Sequence, residues 1–196
     1  PFNPLAVGRA YTEATAWQYR FFVPHDVNGM IQLFGGKEEF VAALDDIFNT
    51  DAEIHGNLVD ITGLIGQYVH GNEPSHHIAY LYNYVGEPWK TQKMSRRLLN
   101  EMYHPTPEGI IGNEDCGQMS AWYILSSMGL YSVCPGSNEY VLTTPLFEKV
   151  VVHLANGRTL TILANDPQKN IYITKVELNG KQIDTNFITY DCLMGG

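Results

Sequence analysis

The chain has 196 residues, and 44% of them are hydrophobic, which is enough apolar material for the core of one or two domains. Only 12 Lys and Arg residues stand against 21 Asp and Glu residues, and this net charge of −9, without any basic run, argues against a nucleic-acid partner. No stretch of about 18 apolar residues occurs, so the sequence contains no predicted membrane span.

Residues 1 to about 131 are predicted to be mainly helical and, with the loop that follows, to form a first region over 1–135. Gly86 and Gly129 are suited to end two of the helices, and Pro88 is suited to begin another. Short loops rich in glycine, proline and asparagine favour antiparallel helix pairs. Apolar residues recur on one helix face in KEEFVAALDDIF (37–48), HHIAYLYNYVG (76–86), EPWKTQKMSRRLLNEMY (87–103) and CGQMSAWYILSSMGL (116–130).

From about residue 138 the pattern becomes that of strands, and residues 136–196 are predicted to form a β-rich C-terminal region. LFEKVVVHL (146–154) and LTILAN (160–165) flank the hairpin turn at Asn156-Gly157. Asn179-Gly180 repeats this device inside IYITKVELNGKQI (171–183). The region is typical of part of a β-sandwich, and YSVCPGSNEYVLTTP (131–145) is the predicted junction.

The two ends of the chain predict a piece of a longer protein. The chain begins at Pro1, without an initiator Met or a signal-like segment. It ends in ITYDCLMGG, where an alternating strand pattern stops on two glycines. We therefore expect a truncated C-terminal region.

Four loops between the helices carry the residues that could do chemistry. Their acids lie near Trp, Gln, Asn or His, a mixture that suits a sugar: its hydroxyl groups bind amides, acids and imidazoles, and its C–H faces pack on aromatic rings. The loops are residues 11–26, 60–77, 85–92 and 112–122, and the acids of interest are Glu13, Glu73, Glu114 and Asp115.

Each of these residues also has a purely structural interpretation. Glu13, Glu114 and Asp115 could be acids of a first helical turn, and Trp17 could belong to the core. Asn72, Glu73 and Pro74 could be a helix cap followed by a first-turn proline. The adjacent pair His76-His77 lacks the i, i+4 spacing of a helical zinc site. The three cysteines match no zinc spacing and leave one disulfide open: Cys116, Cys134 and Cys192.

Three long segments in order resemble glycoside hydrolase family 92: EATAWQY with FVPHD (13–26), residues 60–92 and residues 109–136. The resemblance covers about residues 1–154 and continues more weakly through the β region. Members of that family are calcium-dependent, exo-acting α-mannosidases, common in gut Bacteroidetes. The resemblance implies later helices of an (α/α)6 catalytic toroid followed by β-sandwich strands, with the N-terminal part of the same enzyme as the missing partner.

The resemblance also implies an inverting mechanism. One carboxylic acid protonates the leaving oxygen while a carboxylate roughly 6.5–9.5 Å away activates a water molecule on the opposite face of the sugar. Glu13 is the implied acid and Asp115 the implied base, with Glu114 orienting the water or bonding to the base.

A calcium ion takes oxygen ligands, and the resemblance implies that it clamps sugar hydroxyls. The implied ligands are Gln18, Asn72 and Glu73, and the implied substrate-binding residues are Trp17, His76, His77 and Asn113. Some relatives carry an acid at the position of Asn113, which could alter activity. Members selective for the 1,2 linkage carry a His-Glu pair that has no clean equivalent in TDAEIHGNLVDITG (50–63), so the linkage stays open.

These features predict a secreted, periplasmic or cell-surface α-mannosidase that removes non-reducing-end mannose from N-glycans or mannan. One alternative is an inverting phosphorylase on a similar toroid, in which a phosphate site would replace the base, so Asp115 argues against it. The other is a non-catalytic carbohydrate-binding module, which would not need both Glu13 and Asp115. The 196 residues alone are expected to be inactive and unstable, because a cut toroid would expose apolar stripes such as KEEFVAALDDIF and HHIAYLYNY.

Overall fold

The computed structural model describes residues 3–7, 10–56 and 61–195, which combine helices and antiparallel strands. Two 3-10 helices span Glu73–Ser75 and Ile78–Val85. The α-helices are α1 Ala16–Tyr19, α2 Val27–Leu33, α3 Lys37–Asn49, α4 Pro88–Glu101, α5 Gln118–Ser127 and α6 Tyr190–Gly195. No helix within these described ranges has the length and apolar character needed to cross a membrane.

The strands form small sheets. In chain order they are β1 Leu64–Ile65, β2 Tyr68–Val69, β3 Leu130–Tyr131, β4 Glu139–Leu142, β5 Lys149–His153, β6 Thr159–Leu163, β7 Val176–Leu178, β8 Lys181–Ile183 and β9 Phe187–Thr189. β1 pairs with β2, β5 with β6 and β7 with β8, while β4 lies between β3 and β9. The β1–β2 hairpin lies inside the region predicted to be helical and was missed because each strand has only two residues.

The predicted helices are present, with one difference in type. α3 buries Phe40, Leu44 and Ile47 on the expected face. Pro88 begins α4 as predicted, and Gly86 ends the helix before it with a φ of +84°. That helix, Ile78–Val85, is a 3-10 helix whose side chains are almost all buried, as expected where a helix is enclosed on several sides.

Both predicted hairpins of the C-terminal region are also present. Asn179 and Gly180 have φ values of +49° and +76°, the left-handed pair that a tight two-residue hairpin requires. The strand predicted for ITYDCLMGG is wrong beyond Thr189, because α6 begins at Tyr190. Thr189 Oγ1 accepts a hydrogen bond from the backbone N–H of Cys192 at 3.2 Å, which stabilises the start of this helix, and Leu193 buries its side chain.

The core lies where α3, α4 and the 3-10 helix Ile78–Val85 pack together. Phe40, Leu44 and Ile47 of α3 are fully buried, as are Ile78 and Leu81 of the 3-10 helix. The expectation that these stripes would be exposed is therefore wrong, because within the described residues they cover one another. The cysteines of the described chain are unpaired: Cys116, Cys134 and Cys192.

Candidate active site

Glu13 is an exposed residue that lies just before α1 with a left-handed backbone, at a φ of +52°. It is not part of the first helical turn, because Thr15 is the residue that caps α1. A left-handed backbone costs a non-glycine residue roughly 1–2 kcal/mol. The structural interpretation of Glu13 as a first-turn acid does not apply, because Glu13 precedes the cap of α1. Backbone strain of this kind often accompanies a functional position.

Gln18 is fully buried and completes the cap of α1. Its Oε1 accepts hydrogen bonds from the backbone N–H and the Oγ1 of Thr15, at 2.7 and 2.9 Å. Its Nε2 donates to the carbonyl oxygen of Gln67, so the side chain ties α1 to the turn of the β1–β2 hairpin. The oxygen that the sequence analysis assigned to calcium is therefore already used by the protein, and this geometry gives that assignment no support.

Trp17 is half-buried and packs against a cation. The guanidinium carbon of Arg20 lies 4.4 Å from the centre of the Trp17 ring, so Arg20 occupies one face of the indole. The indole Nε1 is buried and has no hydrogen-bond partner among the described residues. Substrate binding by Trp17 stays a prediction, and only the other face of the ring could serve it.

Asn72 joins the loop of Glu73 to the loop of Glu13. It stands at the start of the 3-10 helix Glu73–Ser75, with Pro74 in the first turn, as the structural interpretation expects. However, its side chain makes no capping hydrogen bond there. Instead, its Nδ2 donates to the carbonyl oxygen of Glu13 at 2.7 Å, which helps to hold the strained backbone at that residue.

Asp115 begins a run of left-handed residues before α5. Asp115, Cys116 and Gly117 have φ values of +43°, +56° and +90°. α5 starts only at Gln118, so Asp115 is not a first-turn acid. Two successive non-glycine residues with positive φ are uncommon, and the strain must be supported by the surrounding contacts.

Glu114 makes contacts that differ from those of its neighbour. Its Oε1 accepts from the backbone N–H of Ser120 at 2.9 Å, and its Oε2 accepts from Ser120 Oγ at 2.8 Å. Ser120 is the third residue of α5, so this carboxylate satisfies a free N–H group at the helix start. The structure thus gives Glu114 an anchoring role, and its catalytic role stays a prediction.

Glu73 lies near two other acids, Glu13 and Asp115, which belong to separate loops. Burial raises the pKa of Glu73, and the nearby charges of Asp115 and Glu13, with a side-chain hydrogen bond to Asp115, raise it further, while the residue's own backbone N–H acts in the opposite direction. The chain is also in direct backbone contact here: a Cβ added at Gly112 would lie 2.4 Å from the carbonyl oxygen of Gly71. Only glycine allows the loops of Glu73 and Asp115 to approach so closely.

His76 and His77 lie in the core, with exposed fractions of 2% and 5%. Nε2 of His76 donates to the carbonyl oxygen of His70 at 2.9 Å, and Nε2 of His77 donates to that of Phe21 at 2.8 Å. Burial lowers the pKa of His76 to about 4 and also lowers that of His77, so both are neutral near pH 7. The protein itself covers almost all of both rings, and their role as substrate contacts stays a prediction.

A buried aromatic frame, which was not predicted from the sequence, lies in the loops that carry the acids. Nδ1 and Nε2 of His70 each lie 2.9 Å from a tyrosine hydroxyl, of Tyr68 and Tyr103 respectively. The ring of Trp122 packs edge-on against His70, with ring centres 4.4 Å apart. The clustering of Tyr, His and Trp in these loops was visible in the sequence, but it was attributed to sugar binding.

The remaining positions singled out in the sequence are Asn113 and the segment 50–63. Asn113 is exposed, directly before Glu114. In the segment 50–63, Nε2 of His55 lies 3.0 Å from Oε1 of Glu53, and both side chains are exposed. Residues 57–60 of that segment lie outside the described residues.

Glu73, its neighbour Asn72 and the nearby acids Glu13 and Asp115 carry oxygen atoms, which are the ligands that calcium prefers. The imidazole nitrogens of His70 and His76 are engaged in hydrogen bonds. Within the described ranges, no three His, Cys, Asp or Glu side chains are gathered so that they could hold a metal ion by themselves. A calcium ion here would therefore also need amide or carbonyl oxygens and water.

A cavity of about 1000 Å³ lies elsewhere, among the strands of the C-terminal region. Its walls include Leu160, Ile162, Val176 and Leu178, and none of the candidate acids lines it. The cavity is mainly apolar, whereas charge and backbone strain coincide at Glu13 and Asp115, which lie near Glu73. We therefore place the candidate active site at the acids.

Comparisons with known proteins agree with the resemblance noted in the sequence. Residues 1–196 match the family described as the glycosyl hydrolase family 92 catalytic domain. An α-mannosidase of this family from Bacteroides thetaiotaomicron, solved in complex with mannoimidazole, is 41% identical with a TM-score of 0.91, over 99% of this chain and 27% of that chain. An inverting mannosidase of the same family and bacterium is 38% identical with a TM-score of 0.85, over 100% of this chain and 28% of that chain.

A secreted glycosidase of Arthroderma benhamiae is 33% identical over 188 residues, which are 94% of this chain and 22% of the relative. The chain thus spans between about a fifth and somewhat more than a quarter of the length of these relatives.

Proposed function

Because the chain belongs to glycosyl hydrolase family 92, we propose that the polypeptide that carries it is an α-mannosidase. It removes mannose from the non-reducing ends of N-glycans or mannan, with inversion at the anomeric carbon. The observation that carries this proposal is the contact of the Glu73 loop with two loops far away in sequence. The Asn72 side chain binds the carbonyl oxygen of Glu13 at 2.7 Å, and the backbone of Gly71 meets that of Gly112. The similarity to mannosidases of the same family supports the choice of sugar.

Glu13 and Asp115 divide the chemistry of inversion between them. Glu13 gives its proton to the glycosidic oxygen as the bond from that oxygen to the anomeric carbon breaks. Asp115 takes a proton from a water molecule, whose oxygen forms the new bond from the opposite face. The water must fit between the two carboxyl groups, which in inverting enzymes stand roughly 6.5–9.5 Å apart.

The residues around the two acids hold them in place. Asn72 fixes the backbone of Glu13 through the hydrogen bond of 2.7 Å to its carbonyl oxygen. Glu73 lies close enough to Asp115 for the two charges to interact. Glu114 secures the start of α5 through Ser120. Glu13 and Asp115 remain exposed, each on a left-handed backbone in its own loop.

Calcium is part of the proposal, with Asn72 and Glu73 as the residues that would supply oxygen ligands. Gln18 is left out of this set because its oxygen is occupied by Thr15. When bound, the cation would hold neighbouring sugar hydroxyls and so favour mannose, whose 2-hydroxyl is axial. The helices of this chain would form part of an (α/α)6 toroid with β-sandwich strands beside it, in a secreted, periplasmic or cell-surface enzyme, which the secreted relative supports.

The first test separates the acid from the base in the full-length polypeptide. Glu13→Gln should slow substrates with poor leaving groups by about 10²–10⁴-fold but activated aryl mannosides far less, because a good leaving group needs little protonation. Asp115→Asn should slow both substrate classes alike, because both need an activated water molecule. Equal losses on both substrates in both variants would show that the division of roles is wrong.

The second test concerns the metal. A chelator should remove most activity of the full-length polypeptide on α-linked mannobioses, and calcium rather than zinc should restore it. Glu73→Ala should weaken calcium binding and so raise the calcium concentration needed for activity, and excess calcium should partly restore activity. Unchanged hydrolysis in excess chelator would rule out the metal assignment.

A further inference from the structure

Both ring nitrogens of His76 and its carbonyl oxygen form hydrogen bonds within the protein. The carbonyl oxygen of His70 can only accept, so Nε2 of His76, 2.9 Å away, must carry the hydrogen. Nδ1 of the neutral ring then accepts from Nε2 of Gln118 at 3.1 Å. The carbonyl oxygen of His76 accepts from the indole Nε1 of Trp122 at 3.1 Å. One residue of the Glu73 loop is thus bound twice to α5.

These two contacts lie close to both candidate acids along the chain. His76 follows Glu73 by three residues, and Gln118 follows Asp115 by three residues. Between Asp115 and Gln118 the backbone is left-handed at every residue, so this segment depends on contacts at its ends to keep its shape. The hydrogen bond between His76 and Gln118 is the contact at the C-terminal end of this segment.

Two of the three partners of His76, His70 and Trp122, belong to the buried aromatic frame. Trp122 is fully buried and stacks against Tyr103 with an angle of 3° between the ring planes. His70 is held between two tyrosine hydroxyls. We therefore expect a substitution of His76 to displace the loops of Glu73 and Asp115 more than it displaces the aromatic side chains.

We propose that His76 is a positioning residue, which fixes the loop of Glu73 against the loop of Asp115 through Gln118. The proposal deepens the proposed function and rests on it for its kinetic test. Nδ1 of His76 is the essential atom, because it is the acceptor that orients the amide of Gln118 at the first residue of α5. The carbonyl group of His70 needs only a donor, which other side chains can supply.

Two substitutions separate the two ring nitrogens in the full-length polypeptide. His76→Asn places an amide oxygen near the position of Nδ1 and can keep the bond to Gln118. His76→Gln places an amide N–H near the position of Nε2 and keeps only the bond to His70. Gln118→Met has a similar length but no donor, so it removes the same bond from the other side.

The expected kinetic result is a difference between these variants in kcat rather than in KM. His76→Gln and Gln118→Met should each lower kcat on α-linked mannobioses by at least about tenfold, because a displaced catalytic group is costly. The double variant should fall no further than either single variant, and His76→Asn should retain most of the wild-type kcat. Equal losses in His76→Asn and His76→Gln, or additive losses in the double variant, would overturn the proposal.

A matched control and a readout without substrate complete the experiment. Tyr80→Phe removes another buried hydrogen bond to α5, that to Ser126, without touching either acid loop, so it should lower Tm and leave kcat unchanged. The thiol of Cys116 is exposed inside the left-handed segment, and its labelling rate, followed by peptide mass spectrometry, reports the order of that segment.

Labelling should accelerate in His76→Gln and Gln118→Met, but not in His76→Asn or Tyr80→Phe. An inactive wild-type protein would contradict the proposed function, whereas unchanged Cys116 labelling in His76→Gln would contradict the positioning role.

Discussion

Gly112→Ala should separate the two acid loops without removing any functional group. The new Cβ would lie 2.4 Å from the carbonyl oxygen of Gly71, whereas ordinary contact begins near 3.4 Å, so the two backbones must move apart by about 1 Å. Neither side of this contact can give way cheaply, because both are main chain. The φ of +77° at Gly112 adds a conformational cost for any residue with a side chain.

The expected losses follow from these two terms. The left-handed backbone costs alanine roughly 1–2 kcal/mol, and the forced overlap adds about 1–3 kcal/mol, so the free energy of unfolding should fall by about 2–5 kcal/mol. A shift of about 1 Å between Glu73 and Asp115 should lower kcat/KM by about 10²-fold. Denaturant unfolding and rates on α-linked mannobioses, both with the full-length polypeptide, measure the two effects.

Gly136→Ala is the matched control. Gly136 has a φ of +87°, but a Cβ added there would meet no atom within 4 Å. It should therefore lose only the conformational term, about 1–2 kcal/mol, and keep the wild-type kcat/KM. If Gly112→Ala keeps its activity, or loses no more than Gly136→Ala does, then contact between the glycines does not set the spacing of the acids.

Glu114→Ala should destabilise α5 by about 1 kcal/mol, as for the loss of a helix cap, because it removes the acceptor of the Ser120 backbone N–H; an unchanged Tm would contradict this role. Burial holds the pKa of His76 at about 4 and lowers that of His77, below the unfolded value of about 6.5. The unfolded chain therefore binds protons first, and the free energy of unfolding should fall as the pH drops from about 6.5 towards 4; a flat profile in denaturant unfolding would refute this. Gln18→Met should lower Tm by leaving the Thr15 N–H without its acceptor, yet leave the calcium dependence of activity unchanged; a weakened response to calcium would return Gln18 to the ligand set.

Features that depend on neighbouring residues could be predicted from the sequence. The turn at Asn179-Gly180 needs only two residues that tolerate a left-handed backbone. The helical face of α3 follows from the spacing of its apolar residues, and the end at Gly86 follows from the missing Cβ. Family membership was visible too, because long segments recur in a fixed order. In ITYDCLMGG the local pattern misled, because a threonine cap and burial of Leu193 favour a helix.

Which polar side chains face solvent was decided only by tertiary packing. The resemblance implied that Gln18, His76 and His77 are ligands or substrate contacts, yet the core provides each with hydrogen-bond partners and leaves almost none of its surface exposed. Glu114 and Asp115 are neighbours in the sequence, but one carboxylate binds α5 while the other reaches Glu73.

By itself, the sequence determined the family and the local turns, and it predicted which acids act. Bringing Glu13, Glu73 and Asp115 together requires contacts between distant loops, such as the approach of Gly71 to Gly112. The energies of those contacts depend on the whole packed chain, so only the tertiary structure could fix them.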